Sequence, residues 1–337
     1  MSGSGTNPAP GGVQDAGPDV LIVGGGMAGL TAARRLRQLG VASTIVDKGR
    51  RPGGRMATRA VDGARFDHGA QHFSVRTASF AGAVESWVES GIAAVWFRSR
   101  SVSNPELGRE PRHMGTEGMR GIPEHLAGGL DVRLATAIDR LEPTGTGLAA
   151  LAGTEIVGEG SGVILTPPVP QILGVLRAGD IVLPPEVDAM LAGVSYNATL
   201  AVLAQLDRAS DLPDGHLSPS SGPIAWLADN EQKGISSLPA LTIHSTPEFA
   251  AAHLEADPEE WIPILCERAS PHLDANIIGA AGHRWRYAQP RTTLQSGAVG
   301  FRSGGPVVLG GEVFAGARVE GAFQSGLALS LIHISEP

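Results

Sequence analysis

A turn with glycines at 24, 26 and 29 separates an apolar run from a helical one, and no other feature constrains the chain as tightly. Residues 20–23, Val-Leu-Ile-Val, suit a parallel strand buried on both faces. Residues 28–39 carry Leu30, Ala33, Leu36 and Leu39 at three-residue steps, and Gly40 is a natural helix stop. Residues 43–46 suit a second strand, ended by Asp47. Strand, helix and strand in this span make a βαβ unit. In such a unit the first glycine permits the tight turn and the second lets backbone approach a pyrophosphate. The third packs the helix against the strand. Backbone from Gly24 and Gly26 through Met27, Ala28 and Gly29 then offers free N–H groups and the positive end of the helix to phosphates. Asp47, 18 residues past Gly29, is placed to accept hydrogen bonds from ribose hydroxyls and to repel a 2′-phosphate. Lys48 falls at the same ribose end. The turn therefore predicts dinucleotide binding.

With 337 residues and 42% apolar content, the chain is long enough for about two domains. No stretch of roughly 20 apolar residues predicts a membrane span. Residues 1–17, rich in Gly, Ser and Pro, lack the parts of a signal peptide and predict a disordered leader. A net charge of -8 without long runs of one sign disfavours nucleic acid as a partner. The single cysteine, Cys266, excludes an internal disulfide and a cysteine-based metal cluster. It fits a reducing cytoplasm and reads as a core thiol. Neither metal-ligand spacing nor a nucleophile elbow occurs. Of 26 Lys and Arg residues only Lys48 and Lys233 are lysines, which with abundant Ala and Gly points to a GC-rich bacterial genome.

Gly53-Gly54-Arg55-Met56 follows the acidic strand end. Its glycines permit close backbone approach, and Arg55 can offer a charge-assisted bond to a pyrophosphate. A plain NAD site has no need of this element. Residues 23–29, Asp47 and Gly53-Gly54-Arg55 together resemble the FAD signature of the amine-oxidase and phytoene-desaturase superfamily. Further motifs are similar to bacterial renalase-like flavoproteins. They are Phe66-Asp67-His68-Gly69-Ala70-Gln71-His72-Phe73, Asp229-Asn230-x-x-Lys233-Gly234-Ile235, Thr242-Ile243-His244 and Arg284-Trp285-Arg286-Tyr287-Ala288. Val319-Glu320-Gly321-Ala322-Phe323-x-Ser325-Gly326 completes the set, and the likeness runs over residues 18–328.

The resemblance implies an α/β protein: a Rossmann-like FAD-binding domain with an inserted mixed-sheet substrate domain, as in p-hydroxybenzoate hydroxylase. The FAD-binding part would comprise residues 18–76, 114–176 and 282–328, and the substrate domain residues 77–113 and 177–281. Ile138 would contact the adenine, and Gly310-Gly311-Glu312 the ribityl chain or pyrophosphate, where an aspartate is more usual than Glu312. Gly69, Ala70, Gln71 and His72, with His68, would lie beside the flavin. A helix opening at Val319, with Glu320, Gly321 and Ala322, would face the flavin pyrimidine, where its dipole favours negative charge. Cys266 lies near neither flavin-contacting end, so the FAD would be non-covalent.

Amine oxidases of the superfamily commonly set a lysine near flavin N5 and frame the substrate with tyrosines. Here Lys48 belongs to the ribose end, which leaves Lys233, and the only tyrosines are Tyr196 and Tyr287. Renalase-like enzymes are associated with oxidation of dihydronicotinamides, the 2- and 6-dihydro isomers of NAD(P)H. These carry a labile hydride and need orientation more than a strong base. That reading predicts an FAD-dependent oxidase with a small-molecule substrate, using O2 and releasing H2O2. His244 would bind a carboxamide, Trp285 would wall the ring, Arg286 would hold a substrate phosphate, and Asn230 would add a polar contact. Oxidation of amines, desaturation of another small substrate, and a flavin-bound module without turnover are the alternatives. The last nine residues, 329–337, resemble the translation of a transposon-derived sequencing adapter. They predict an adapter-derived tail, with a last helix over residues 319–329 and a natural chain that continues differently.

Overall fold

The computed structural model describes residues 20–99 and 109–332. The expected leader and residues 333–337 lie outside the described residues.

Six strands form the first sheet, in the order Val299–Arg302, Pro306–Leu309, Gly162–Leu165, Val20–Val23, Ser43–Val46 and Asp131–Arg133. All neighbours are parallel except the first pair. Val20 and Ile22 face one core and Leu21 and Val23 the other, so the strand is buried on both sides, as its unbroken apolar run requires. On one face lie the helices Met27–Gln38 and Val319–Ile332. They cross so closely at Gly326 that an added Cβ there would meet Ala28 O and Thr31. On the other face sit the helix Val169–Ala178 and a three-stranded antiparallel sheet of Arg140–Pro143, Leu148–Ala152 and Glu155–Gly160.

A second, antiparallel sheet runs His216–Leu217, Ile224–Asp229, Ala240–Ser245, Tyr196–Leu206 and Ile277–Pro290. One face buries Leu200, Val202 and Ile243 against Trp261 and Leu265 of the helix Pro258–Ala269. The hairpin of Thr58–Val61 and Ala64–Asp67 packs Ala64 and Phe66 on the opposite face, against Leu203 and Ala240. Its turn has both central residues at positive φ, Asp62 at 46° and Gly63 at 86°, as the Asp-Gly pair predicts.

Three local expectations differ. The strand Ile277–Pro290 pairs with Tyr196–Leu206 along its length, so residues 282–290 join the second sheet and not the dinucleotide sheet. The helix Ala78–Glu89 buries Phe80, Val84 and Trp87 with Leu30 and Phe323, so it packs with the first sheet's core and not with the second sheet. The last helix, expected over residues 319–329, extends further. It runs to Ile332, and Leu329 is fully buried against Gly310.

Candidate functional site

A cleft of about 1770 Å³ opens at the carboxyl ends of the central parallel strands and extends to the second sheet. That edge is where open α/β sheets bind ligands. The volume exceeds the roughly 300–1,000 Å³ of ordinary small-molecule sites and leaves room for an extended dinucleotide with a second molecule beside it.

At the first end the turn behaves as its glycines require. Gly24 sits at φ 109°, and an added Cβ would meet Thr166 Oγ1. Gly26 has open space where a side chain would stand, and at Gly29 a Cβ would collide with Gly24 O. The helix Met27–Gln38 has no side-chain N-cap, which leaves its first-turn N–H groups for a ligand. Asp47 is not idle: its two oxygens accept from Gly25 N and Gly49 N, each at 2.6 Å, which closes the turn around the strand end. It still lines the cleft with Gly24, Gly26, Met27, Ala28, Lys48, Gly54, Arg55, Met56 and Ile138. Gly29 does not line it and serves helix–strand contact alone. Lys48 Nζ reaches Gln171 Oε1 at 3.2 Å.

Arg55 and Glu312, expected to act separately on the cofactor, face each other. Arg55 Nη1 donates to Glu312 Oε1 at 2.5 Å, and Nη2 pairs with Oε2. Both line the cleft. Arg55 O accepts from Ala70 N at 2.8 Å, which draws the loop carrying Gly69, Ala70, Gln71 and His72 onto the Gly-Gly-Arg turn. Glu320 is committed elsewhere: its Oε1 accepts from Thr77 N at 2.7 Å, Thr77 Oγ1 at 2.8 Å and Arg76 N at 3.1 Å. Gly321 is pressed against Gly316 O and lies outside the cleft lining, whereas Val319, Glu320 and Ala322 belong to it.

The second end is built by strand register. His244 and His283 both pair with Ala201, from opposite sides, and Trp285 pairs with Thr199. Trp285 Nε1 donates to His68 O at 2.6 Å, and His244 Nε2 lies 3.0 Å from the same oxygen. A carbonyl only accepts, so His244 carries its proton on Nε2 and leaves Nδ1 as an acceptor. Burial holds the His244 ring down to about 4, with nearby Lys233 and His283 adding to the effect against the bond to His68. Burial, then His283 and Arg120, holds His68 to about 3. Burial, then Lys233 and Arg112, does the same to His72. All three rings are neutral at pH 7.

Two expected substrate contacts go elsewhere. Asn230 is fully buried and absent from the lining. Its side chain accepts from Asp67 N at 3.2 Å and donates to Thr242 Oγ1 at 3.0 Å, which ties the hairpin to the second sheet. Arg286 lines the rim, but its two terminal nitrogens are held by Glu255 at 2.5 and 2.9 Å. Lys233 is also withdrawn. Its buried ammonium pairs with Asp67 Oδ2 at 2.6 Å, donates to Gln71 O at 2.6 Å and lies under the Trp96 ring. Tyr196 and Tyr287 stand edge to face at 5.6 Å. Burial and Glu312 push the Tyr196 phenol up to about 12. Cys266 is half-buried outside the cleft, and burial raises it to about 11.

Sequence reasoning missed Arg112, Arg120, Trp226, His283 and Arg318, all of which line the cleft. They come from separate elements with no motif spacing, and no local signal marks them. Their charge matters. The whole chain carries -8, yet the lining holds nine arginines and Lys48 against four carboxylates. Buried Gln71 Oε1 and Arg120 Nε lack protein partners. Open glycine backbone, excess positive charge and unsatisfied polar atoms fit an anionic dinucleotide. Among the described residues no group of His, Cys, Asp and Glu could hold a metal ion, and no helix is long and apolar enough to cross a membrane.

Comparison with known proteins agrees with this fold. Residues 22–86 match the family of NAD(P)-binding Rossmann-like domains. A hydroxyneurosporene desaturase of Rubrivivax gelatinosus is 47% identical over 57 residues, 17% of this chain and 11% of that protein. A carotenoid 3,4-desaturase of Haloarcula japonica is 45% identical over 53 residues, again 11% of its length. Among solved structures, putrescine oxidase bound to putrescine superposes with a TM-score of 0.70 at 17% identity, over 95% of this chain and 99% of that one. A fatty acid isomerase from P. acnes gives 0.65 at 11% identity, over 94% and 98%. The chain thus resembles two desaturases over a short stretch, about a tenth of their length, and shares its mixed α/β fold with putrescine oxidase.

Proposed function

We propose that this chain is an FAD-dependent oxidoreductase of the renalase-like kind, an oxidase of dihydronicotinamides. Gly24, Gly26, Gly54 and the first turn of Met27–Gln38 would hold the pyrophosphate, Asp47 the ribose and Ile138 the adenine, without a covalent tether. Bound there, FAD would supply a two-electron acceptor for the substrate hydride, with O2 as the final acceptor and one proton taken from solvent, giving H2O2.

The carrying observation is that the described lining offers no strong proton acceptor. Its four carboxylates are engaged: Asp47 by Gly25 and Gly49, Asp139 by Gly153 and Arg140, Glu312 by Arg55, and Glu320 by Thr77. Lys233 is buried against Asp67, and the histidines are held neutral and weakly basic. A dihydronicotinamide becomes a nicotinamide by losing hydride alone, so its oxidation asks only for orientation. His244 Nδ1 would accept from a carboxamide, and Trp285, stacked on His68 at 5.4 Å, would wall the ring. A second reading, oxidation of an amine or desaturation of another small substrate, is supported by the likeness to putrescine oxidase and the desaturases.

Purified protein should be yellow, bleach anaerobically with 6-dihydro-NAD and recover colour in air. Bleaching by putrescine and not by 6-dihydro-NAD selects the second reading. A colourless protein that cannot be reconstituted with FAD refutes both.

A further inference from the structure

Arg112 stands on the strand Glu110–Gly115, opposite Phe97 in the hairpin, and lines the cleft. Its side chain is only 11% exposed. A guanidinium carries five N–H donors and stays charged, so burying it calls for acceptors on several sides. Among the described residues one contact is present, Nη1 to Glu110 Oε2 at 3.3 Å, a long and single-toothed bond. Nearby Lys233 supplies no acceptor, being a donor itself held by Asp67 and Gln71 O. The surrounding walls are aromatic: His72 lies 5.4 Å from Trp226, which stacks on His216 at 4.9 Å. Trp226 Nε1, which can only donate, is buried with no partner. Arg286, the sequence-level choice for a substrate anion, is saturated by Glu255, whereas Arg112 is not.

We propose that Arg112, with Trp226 lining the same cleft, forms an anion subsite for the substrate, taking its carboxylate or phosphate group. This rests on the reading of the cleft as a flavin site with substrate at its second end. The subsite selects by charge: an anionic group engages Arg112, and a neutral amide in its place does not.

The test titrates the purified holoprotein with benzoate, phenyl phosphate and neutral benzamide, following heat and the visible flavin spectrum. Benzoate or phenyl phosphate should bind at least about 10-fold tighter than benzamide, and whichever binds better identifies carboxylate or phosphate as the preferred group. R112Q should weaken anion binding roughly 10- to 100-fold and leave benzamide unchanged, the worth of a charge-assisted bond in a cleft. R112K, which keeps the charge and loses the fork, should bind the anion several-fold more weakly than wild type. Equal affinity for benzoate, phenyl phosphate and benzamide overturns the subsite. So does unaltered anion binding in R112Q with normal flavin content, or in R112K if R112Q does not fold. A protein without flavin refutes the cofactor reading instead, and the heat of binding still reports on Arg112.

Discussion

Lys233→Met is the most informative single change, because Lys233 is both the lysine an amine oxidase would want and the buried partner of Asp67. In the structure it makes three contacts: the 2.6 Å pair with Asp67, a 2.6 Å bond to Gln71 O, and the Trp96 face. Removing it leaves a carboxylate with no exposure. Breaking one side of a buried pair costs about 3–5 kcal/mol. Asp67 keeps Thr58 Oγ1 at 2.5 Å and Met119 N at 2.9 Å on its other oxygen, which places the cost at the lower end, about 3 kcal/mol. With an unfolding entropy of ~2.1 cal/mol/K per residue, a chain of this length loses about 4 °C in Tm, and about twice that if one half melts alone. Adding D67N removes the stranded charge and should recover at least half of the loss, which a double-mutant cycle by urea denaturation measures. Once loaded with FAD, K233M should still bleach with 6-dihydro-NAD within about 10-fold of the wild-type rate, since no step of the proposed hydride loss needs a base. A Tm within 1 °C of wild type, or a double mutant no more stable than K233M, would refute the strut. Abolished bleaching in a folded, flavin-loaded K233M would return the lysine to the chemistry.

Other outcomes follow from the same geometry. Gly24→Ala should yield protein that retains little FAD by absorbance, because its Cβ meets Thr166 Oγ1 at a φ that L-residues avoid. Stability should fall on acidification. His68, His72 and His244 titrate in the fold at about 3, 3 and 4, below the unfolded value near 6.5, so the unfolded chain binds more protons between these limits. Stability is complete above pH ~6.5 and declines as pH drops toward 4, by up to about 1.4 kcal/mol per unit for each ring. Urea midpoints at pH 7.5 and 5 read this, and a flat profile contradicts the neutral cluster. Arg286→Gln should change stability by less than about 1 kcal/mol and KM by only a few-fold, because its pair with Glu255 is a rim contact.

The sequence alone determined the nucleotide end. Strand, glycine turn, helix and acidic strand end are contiguous, and each depends on local backbone geometry, so the unit could be read in order. The positions of Gly24, Gly26, Gly29 and Asp47 needed no distant partner to be found. The tertiary structure decided the rest. Arg55 and Glu312 are 257 residues apart and Lys233 and Asp67 166 apart, and nothing local says that they pair. Asn230 and Arg286 looked like site residues because polar side chains in motifs can serve a ligand or a neighbour equally well. Only packing showed that Asn230 braces the hairpin and that Glu255 already holds Arg286. Arg112, Trp226 and His283 meet because register and sheet contact carry them to one cleft, a long-range consequence of burial that no spacing along the chain encodes.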